Sequence, residues 1–254
     1  MKTTLLLSLC LLLGPLAHAA GLDQSHGKLD ALLKSNVTDG WVDYGALKNK
    51  PAPLVEYLDA LAVVKETEFN GWPEKERFAF LINLYNATTL KLIVDHHPVG
   101  SIKDIGGVFK GPWKQEVVRL FGKVTTLDNL EHGIIRKQYH DPRAHFALVC
   151  AAKGCPPLRS EAYVASRLDE QLDDQARVFL GQTAKNRVDA NAHSLYLSPI
   201  FKWFSGDFEA KSGSVLKFLT PYFPEKDRNA LAAGGFKIRY TDYDWSLNNK
   251  SSRP

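Results

Sequence analysis

The pattern of hydrophobic and polar positions predicts one long helix over residues 74–94. Apolar side chains recur there three and four positions apart, which is typical of an amphipathic α-helix. Pro73 precedes this stretch and His97-Pro98 follows it, so both ends carry signals that limit a helix. We expect the apolar face to pack in the core. Its residues are Phe78, Leu81, Ile82, Tyr85, Thr89 and Leu92.

Shorter helical and strand patterns lie on both sides of this helix. They predict helices over 29–33, 54–64, 160–181, 215–222 and 225–233, and a helix capped by Thr126 that runs to 137. They also predict a hairpin over 116–120 and 121–124, a strand over 144–150, two short strands within 186–198, and a last strand over 237–243. Because helices and strands mix without a regular alternation, we expect an α+β domain with several helices around a small, mainly antiparallel sheet.

The first residues predict a secretory signal peptide over residues 1–19. Lys2 precedes an apolar run over 5–13, and Ala17-His18-Ala19 forms a small-x-small cleavage signal. The run is shorter than the roughly 20 residues that cross a bilayer. We therefore expect an exported protein, periplasmic or secreted, without stable membrane insertion, whose residues 20–254 form a single globular domain.

Composition supports a packed core and excludes one class of partner. The chain has 254 residues, 44% of them hydrophobic, and a formal net charge of +4. Charges of both signs are interspersed, so we expect no nucleic acid partner. We find no GxGxxG, Walker, GxSxG or HExxH pattern and expect no cofactor; the predicted partner is a small molecule or peptide of unknown identity.

The stretch RAHFALVCAAKGCPPLRS, residues 143–160, carries the main chemical candidates. Once a signal peptide is removed, Cys150 and Cys155 are the remaining cysteines. They are compatible with a catalytic thiol, with a disulfide of an oxidising compartment, or with buried cysteines that pack as small hydrophobic groups. A zinc site needs more ligands than this pattern supplies, so we predict no metal.

The partner of a reactive Cys150 depends on strand geometry. In an extended segment, His145 and Cys150 lie on opposite faces, because strand side chains alternate. His132 or a distant residue would then be the base. Glu131 precedes His132 in the predicted helix, where adjacent residues point about 100° apart and cannot both face one ligand squarely. A charge network is the alternative role for this pair.

Four further residues are candidates for substrate binding. Asn83 and Asn86 lie three apart on a helix of core residues, where a buried amide must be hydrogen-bonded. They either tie a neighbouring loop to the helix or line a site. Trp203 and Asp207 lie in an aromatic cluster that either packs in the core or forms the edge of a pocket.

Four motifs follow one another along the chain: FAFLINLYN at 78–86, LDNLEHGIIR at 127–136, HFALVC at 145–150 with CPPL at 155–158, and LSPIFKWF at 197–204 with DF at 207–208. In this order they resemble the motifs of the domain-of-unknown-function 547 family. The ending YDWSLN at 243–248 is similar to the close of that family, so the resemblance runs from about residue 25 to 248. It implies no particular reaction. It does imply that Cys155 is dispensable and that Cys150 is the more fundamental cysteine.

Two functional hypotheses follow. The first is a thiol-dependent hydrolase or acyl/peptidyl transferase, in which Cys150 attacks a carbonyl, His132 or His145 handles the proton with Glu131 nearby, and an amide such as Asn83 or Asn86 steadies the site. The alternative is a non-catalytic binding or interaction domain stabilised by a Cys150–Cys155 disulfide.

Overall fold

The computed structural model describes residues 21–107 and 110–253. The predicted signal peptide and the predicted new terminus at Ala20 lie outside these residues. In chain order the α-helices are Gly27–Asn36 (α1), Tyr44–Asn49 (α2), Ala52–Ala62 (α3), Glu66–Asn70 (α4), Glu74–His96 (α5), Arg136–Tyr139 (α6), Ala144–Ala147 (α7), Leu168–Leu180 (α8), Ile200–Trp203 (α9), Ser205–Ser212 (α10), Val215–Leu219 (α11) and Glu225–Ala232 (α12). A π-helix, Asn129–Ile135, precedes α6. The β-strands are Val37–Thr38 (β1), Trp41–Val42 (β2), Glu116–Leu120 (β3), Lys123–Thr126 (β4), Arg187–Asp189 (β5), Ser194–Leu197 (β6) and Lys237–Tyr240 (β7).

The strands form small sheets rather than one. β1 pairs with β2, β3 with β4, and β5 with β6, each pair antiparallel. β7 adds to β6 in the parallel direction, with Leu195 opposite Ile238. Helices dominate around these sheets, which confirms the predicted α+β class with small, mainly antiparallel pairing.

Helix α5 is the centre of the first hydrophobic cluster. Its ends lie where the flanking prolines predict them, because Pro73 precedes Glu74 and His97-Pro98 follows His96. Residues 78–90 are all buried, so the helix is covered on every side rather than on one face. It contacts α2, α3, β3 and the π-helix. The polar residues within this stretch must therefore find partners inside the protein.

The predicted strand over 144–150 is wrong. Residues 144–147 form α7, and the chain becomes extended only at Leu148. A short apolar run does not distinguish a strand from a buried helical turn. Here Asp141 accepts from the Arg143 N–H at 2.9 Å and the Leu148 N–H bonds to the Ala144 carbonyl at 2.9 Å, which closes a helical turn.

The helix predicted over 160–181 also differs from the structure at its start. Residues 160–164 are irregular, a 3-10 turn covers Ala165–Arg167, and α8 begins at Leu168. The buried Gln171 side chain accepts from the Val164 N–H at 2.9 Å and donates to the Ala162 carbonyl at 2.8 Å. These bonds give the 162–164 backbone the partners that a helix would otherwise supply.

A second hydrophobic cluster joins the first at the segment that carries Cys150. Its aromatic centre is formed by Phe146, Phe179, Phe201 and Phe208. Phe146 belongs to this cluster, while the neighbouring Ala147, Leu148 and Val149 belong to the first. The segment before Cys150 is thus held between two packed groups of side chains.

Candidate functional site

A cavity of about 440 Å³ lies where residues of the two clusters meet. Its chemistry-bearing lining comprises Tyr85, Lys114, Asp128, Glu131, His132, His145, Cys150, Cys155 and Tyr243. Aromatic side chains form much of the remaining wall: Trp113, Trp203, Phe204 and Trp245. The structure therefore brings together Cys150, Glu131, His132, His145 and Trp203. Asn83, Asn86 and Asp207 do not line this cavity.

Backbone geometry fixes the position of Cys150 at the cavity. The Asn86 side chain donates to the Ala147 carbonyl at 2.9 Å and accepts from the Val149 N–H at 3.0 Å. Immediately after Cys150, Ala151 has a φ of 58°, in the left-handed region that a residue with a Cβ rarely adopts. The chain therefore turns sharply at Cys150. Backbone outliers of this kind cluster at functional sites.

The surroundings of the Cys150 thiol stabilise its charged form. Hydrogen bonding with the Cys155 side chain is the largest cause of a Cys150 pKa below its ordinary value. Burial acts in the opposite direction, and hydrogen bonds from the Tyr243 hydroxyl, at 3.0 Å, and from the Ala152 N–H add to the lowering. The charge of Glu131 raises this pKa and so opposes them. A thiolate is the nucleophilic form of cysteine.

Cys155 has a different environment from Cys150. It is buried, and burial is the largest cause of a pKa well above its ordinary value. Its sulfur accepts the Cys150 backbone N–H at 3.0 Å. Both cysteines line the cavity, but they are inequivalent, because the pKa is lowered at Cys150 and raised at Cys155.

The Cys150–Cys155 disulfide of the second hypothesis is not present. Both cysteines are free thiols. The Cys150 sulfur is directed toward the Tyr243 hydroxyl, while the Cys155 sulfur faces the backbone N–H of Cys150. The short loop between them therefore holds two hydrogen-bonded thiols instead of a covalent staple.

Glu131 and His132 both line the cavity, which corrects the expectation that adjacent helical residues cannot face one ligand. They lie on a π-helix, a form rare in proteins and frequent at functional sites. Gly133 contributes to this local form, since a Cβ there would collide with the Asn129 side chain. Tyr85 donates to Glu131 Oε2 at 3.1 Å, while the Glu131 side chain keeps 12% of its surface exposed.

His145 is buried, and its contacts favour a structural role over that of a base for Cys150. Its Nε2–H donates to Asp207 Oδ2 at 2.7 Å, and its ring stacks on Phe204 with centroids 4.0 Å apart. Arg136 binds the same carboxylate through two bonds of 2.7 and 2.8 Å. Hydrogen bonds from His145 first, and then from Arg136, hold the pKa of Asp207 well below its ordinary value. Asp207 is therefore part of a charged network behind the cavity wall.

The amides of Asn83 and Asn86 are paired with backbone groups. Asn83 donates to the Tyr163 carbonyl at 2.8 Å and accepts from the Tyr163 N–H at 3.0 Å, as Asn86 does with Ala147 and Val149. These contacts favour the first of the two roles considered for them, that of tying loops to α5. Asn86, but not Asn83, contacts the segment that carries His145.

Tyr243 and Trp245 are site residues that pattern reasoning did not single out. Tyr243 lies 93 positions from Cys150 in the chain. Its ring centroid is 4.5 Å from that of Trp245 and 4.9 Å from that of Trp203, so the three rings form a continuous wall. The only sequence signal for them was the closing motif at 243–248.

Two further properties concern the part of the chain that the structure describes. Over residues 21–107 and 110–253, no helix is both long and apolar enough to cross a membrane. Within the same residues, no group of three or more His, Cys, Asp or Glu side chains is arranged to hold a metal ion.

The family comparison agrees with the motifs that line the cavity. Residues 69–180 match the model of the family described as "Protein of unknown function, DUF547". The matched segment contains Glu131, His132, His145 and Cys150, and the match confirms the resemblance predicted from the motifs. Tyr243 and Trp203 lie beyond the matched segment. Neither the curated proteins nor the solved structures provide a match to the chain.

Proposed function

We propose that the protein is a thiol-dependent hydrolase or acyl/peptidyl transferase with Cys150 as its nucleophile. One observation carries this proposal: the Cys150 thiol, with a pKa below its ordinary value, opens into the same 440 Å³ cavity as Glu131 and His132. A shifted pKa together with proton-carrying groups in one concave site is typical of an active site. In this proposal Asn83 and Asn86 take no direct part in the reaction, because both amides are paired with backbone groups.

The proposed reaction proceeds through a thioester. The Cys150 sulfur forms a bond to the carbonyl carbon, and the C=O electron pair moves to oxygen. When this pair returns, the bond to the leaving group breaks, and the leaving group takes the proton that the thiol released. Water, in a hydrolase, or an amine or alcohol, in a transferase, then attacks the thioester, which restores the thiol and releases the acyl product.

The cavity wall supports a substrate with an apolar or flat portion next to its carbonyl group. Trp203, at 49% exposure, and the neighbouring Tyr243 and Trp245 offer aromatic surface beside the thiol. Aromatic side chains bind apolar groups through large buried areas. We also propose that the protein acts after export, as its first residues predict. Mass spectrometry of the mature protein would then find Ala20 at the N-terminus.

Acyl trapping tests the proposal. The full chain is incubated with p-nitrophenyl acetate, and the protein is analysed by intact mass and peptide mapping. We expect one acetyl group on Cys150, a burst of p-nitrophenol matched to the amount of protein, and loss of both in Cys150→Ala. Cys155→Ala keeps the nucleophile and should still be acylated, but more slowly at neutral pH, because it removes the hydrogen bond that contributes most to the lowered pKa of Cys150.

The same experiment separates the two functional hypotheses. A folded protein whose Cys150 forms no acyl adduct at any pH at which it stays folded would contradict the enzyme proposal. That result would favour the alternative, a non-catalytic binding domain that uses the aromatic cavity to hold a small molecule or peptide.

A further inference from the structure

We propose that Arg136 and Asp207 are positioning residues that fix His132 with its proton on Nε2. His132 would then donate a hydrogen bond to the substrate oxygen instead of removing the proton of Cys150. This inference rests on the proposed function, because it assigns a role within the same site. It is carried by a chain of contacts that runs from buried His145 through Asp207 and Arg136 to the cavity.

The contact between Arg136 and His132 determines which ring nitrogen carries the proton. Arg136 Nη1 lies 3.0 Å from His132 Nδ1. A guanidinium group only donates hydrogen bonds and remains charged in proteins. Nδ1 must therefore be the acceptor and carries no proton in this arrangement. The neutral imidazole then has its hydrogen on Nε2.

Arg136 is held in place by Asp207 and by the ring of Phe204. Asp207 binds its guanidinium through both carboxylate oxygens, at 2.7 and 2.8 Å, in the planar two-bond geometry that arginine favours. Its guanidinium carbon lies 5.1 Å from the centroid of the Phe204 ring. Asp207 is in turn fixed by His145, whose side chain is 2% exposed. The guanidinium is therefore not free to leave His132.

His132 lines the cavity, and within the described residues its Nε2 makes no hydrogen bond. The side chain is 40% exposed and lines the space beside Cys150. Its Nε2 is 4.0 Å from Asp128 Oδ1, beyond hydrogen-bond distance, so the Nε2–H can reach a ligand in the cavity. A neutral donor placed in this way stabilises the negative charge that develops on a carbonyl oxygen.

This assignment leaves proton transfer to Glu131. When the thiolate attacks, the charge that develops on oxygen is stabilised by the Nε2–H of His132, and no proton leaves the ring. The thiol proton passes to the Glu131 carboxylate, and from there to the leaving group as the tetrahedral intermediate collapses. Tyr85, which donates to Glu131 Oε2, holds that carboxylate in position.

Nitrogen NMR of the histidine rings tests the assignment without a substrate. In the ¹⁵N-labelled protein at neutral pH, we expect the His132 Nδ1 signal of an unprotonated nitrogen and the Nε2 signal of a protonated one. Arg136→Met should move the two signals toward an average of both tautomers, while Arg136→Lys, which keeps a cationic donor, should preserve the wild-type pattern. Exposed His193 serves as the internal control and should not change. A proton on Nδ1 in the wild-type protein would overturn the inference, whether or not the variants fold.

Thiol alkylation provides a second, independent readout. If His132 does not stabilise the thiolate as an imidazolium partner, Cys150 in His132→Gln should react with iodoacetamide at pH 7 within about twofold of the wild-type rate, whereas loss of a group that stabilises the thiolate would slow it by roughly tenfold or more. The slower rate would refute the proposed role of His132. Failure to acylate Cys150, by contrast, would refute the proposed function and leave the tautomer assignment intact.

Discussion

Two regions next to the Cys150 segment use polar groups in contrasting ways. On helix α5, Asn83 and Asn86 each donate one hydrogen bond to a backbone carbonyl and accept one from a backbone N–H of a neighbouring segment. Both side chains are almost fully buried. In the cavity, Glu131 and His132 have partners on one side only and keep exposed surface on the other.

The comparison suggests a rule for separating structural from chemical polar residues in this protein. An amide whose donor and acceptor are both bound to backbone has little capacity left for a ligand. The same closed arrangement occurs at Gln171, with backbone groups of Ala162 and Val164, and at Asn186, with Phe179 and Ser198. A side chain with one free hydrogen-bonding direction toward a cavity can act on a ligand. Cys150 lies at the boundary, positioned by the first region and open to the second.

The largest expected effect is a loss of stability when a buried amide of α5 is replaced. Asn86→Leu should lower the free energy of unfolding by roughly 2–5 kcal/mol, because it leaves two buried backbone groups, at Ala147 and Val149, without partners. Chemical denaturation measures this loss. The matched control is exposed Asn191→Leu, which should change stability little. A loss for Asn86→Leu as small as that of the control would show that the closed amide does not hold the segment.

The next effect on stability is expected at His26, which precedes α1. Its ring is buried, with one nitrogen hydrogen-bonded to Tyr57 and the other without a partner among residues 21–107 and 110–253. Burial lowers the pKa of His26 from 6.5 to about 4. The unfolded chain therefore binds a proton between these values that the folded protein does not. The free energy of unfolding should fall by on the order of 3 kcal/mol as the pH decreases from about 6.5 to 4.

Denaturation curves across this pH range check the His26 prediction. His26→Gln should remove most of the slope between pH 6.5 and 4, whereas His140→Gln, at an exposed position, should keep it. An unchanged slope in His26→Gln would assign the acid sensitivity to other groups.

Smaller effects, of opposite sign, are expected on the pKa of Cys150 when its neighbours in the cavity are replaced. Tyr243→Phe removes a donor to the thiolate and should raise the pKa of Cys150, whereas Glu131→Gln removes a neighbouring negative charge and should lower it. The pH dependence of Cys150 alkylation should therefore move upward in the first variant and downward in the second. Shifts in the same direction would contradict the electrostatic account of the thiol.

The sequence predicted features that depend on local pattern. The long helix was found at Glu74–His96, the hairpin at β3 and β4, and Thr126 at the start of the helical segment, where its hydroxyl accepts from the Asn129 N–H at 3.0 Å. Grouping Cys150 with Glu131 and His132 also came from the sequence, through motifs that the family comparison supports.

Features that depend on contacts distant in the chain were not predicted. Tyr243 reaches Cys150 only after the C-terminal segment packs back, and Arg136 meets Asp207 across 71 positions. The π-helix and the helical turn at 144–147 were not predicted for a different reason. Their residues fit several local conformations, and neighbouring packing selects among them.

The measurement that tests the central claim most directly is the alkylation rate of each cysteine in the native protein. Iodoacetamide is added near neutral pH, samples are quenched over time, and the peptides of Cys150 and Cys155 are quantified by mass spectrometry. We predict fast labelling of Cys150, at least about tenfold ahead of Cys155, which should react fully only after unfolding. Equal rates for the two thiols, or no reaction of Cys150 before unfolding, would contradict the account of Cys150 as the open, activated thiol of the cavity.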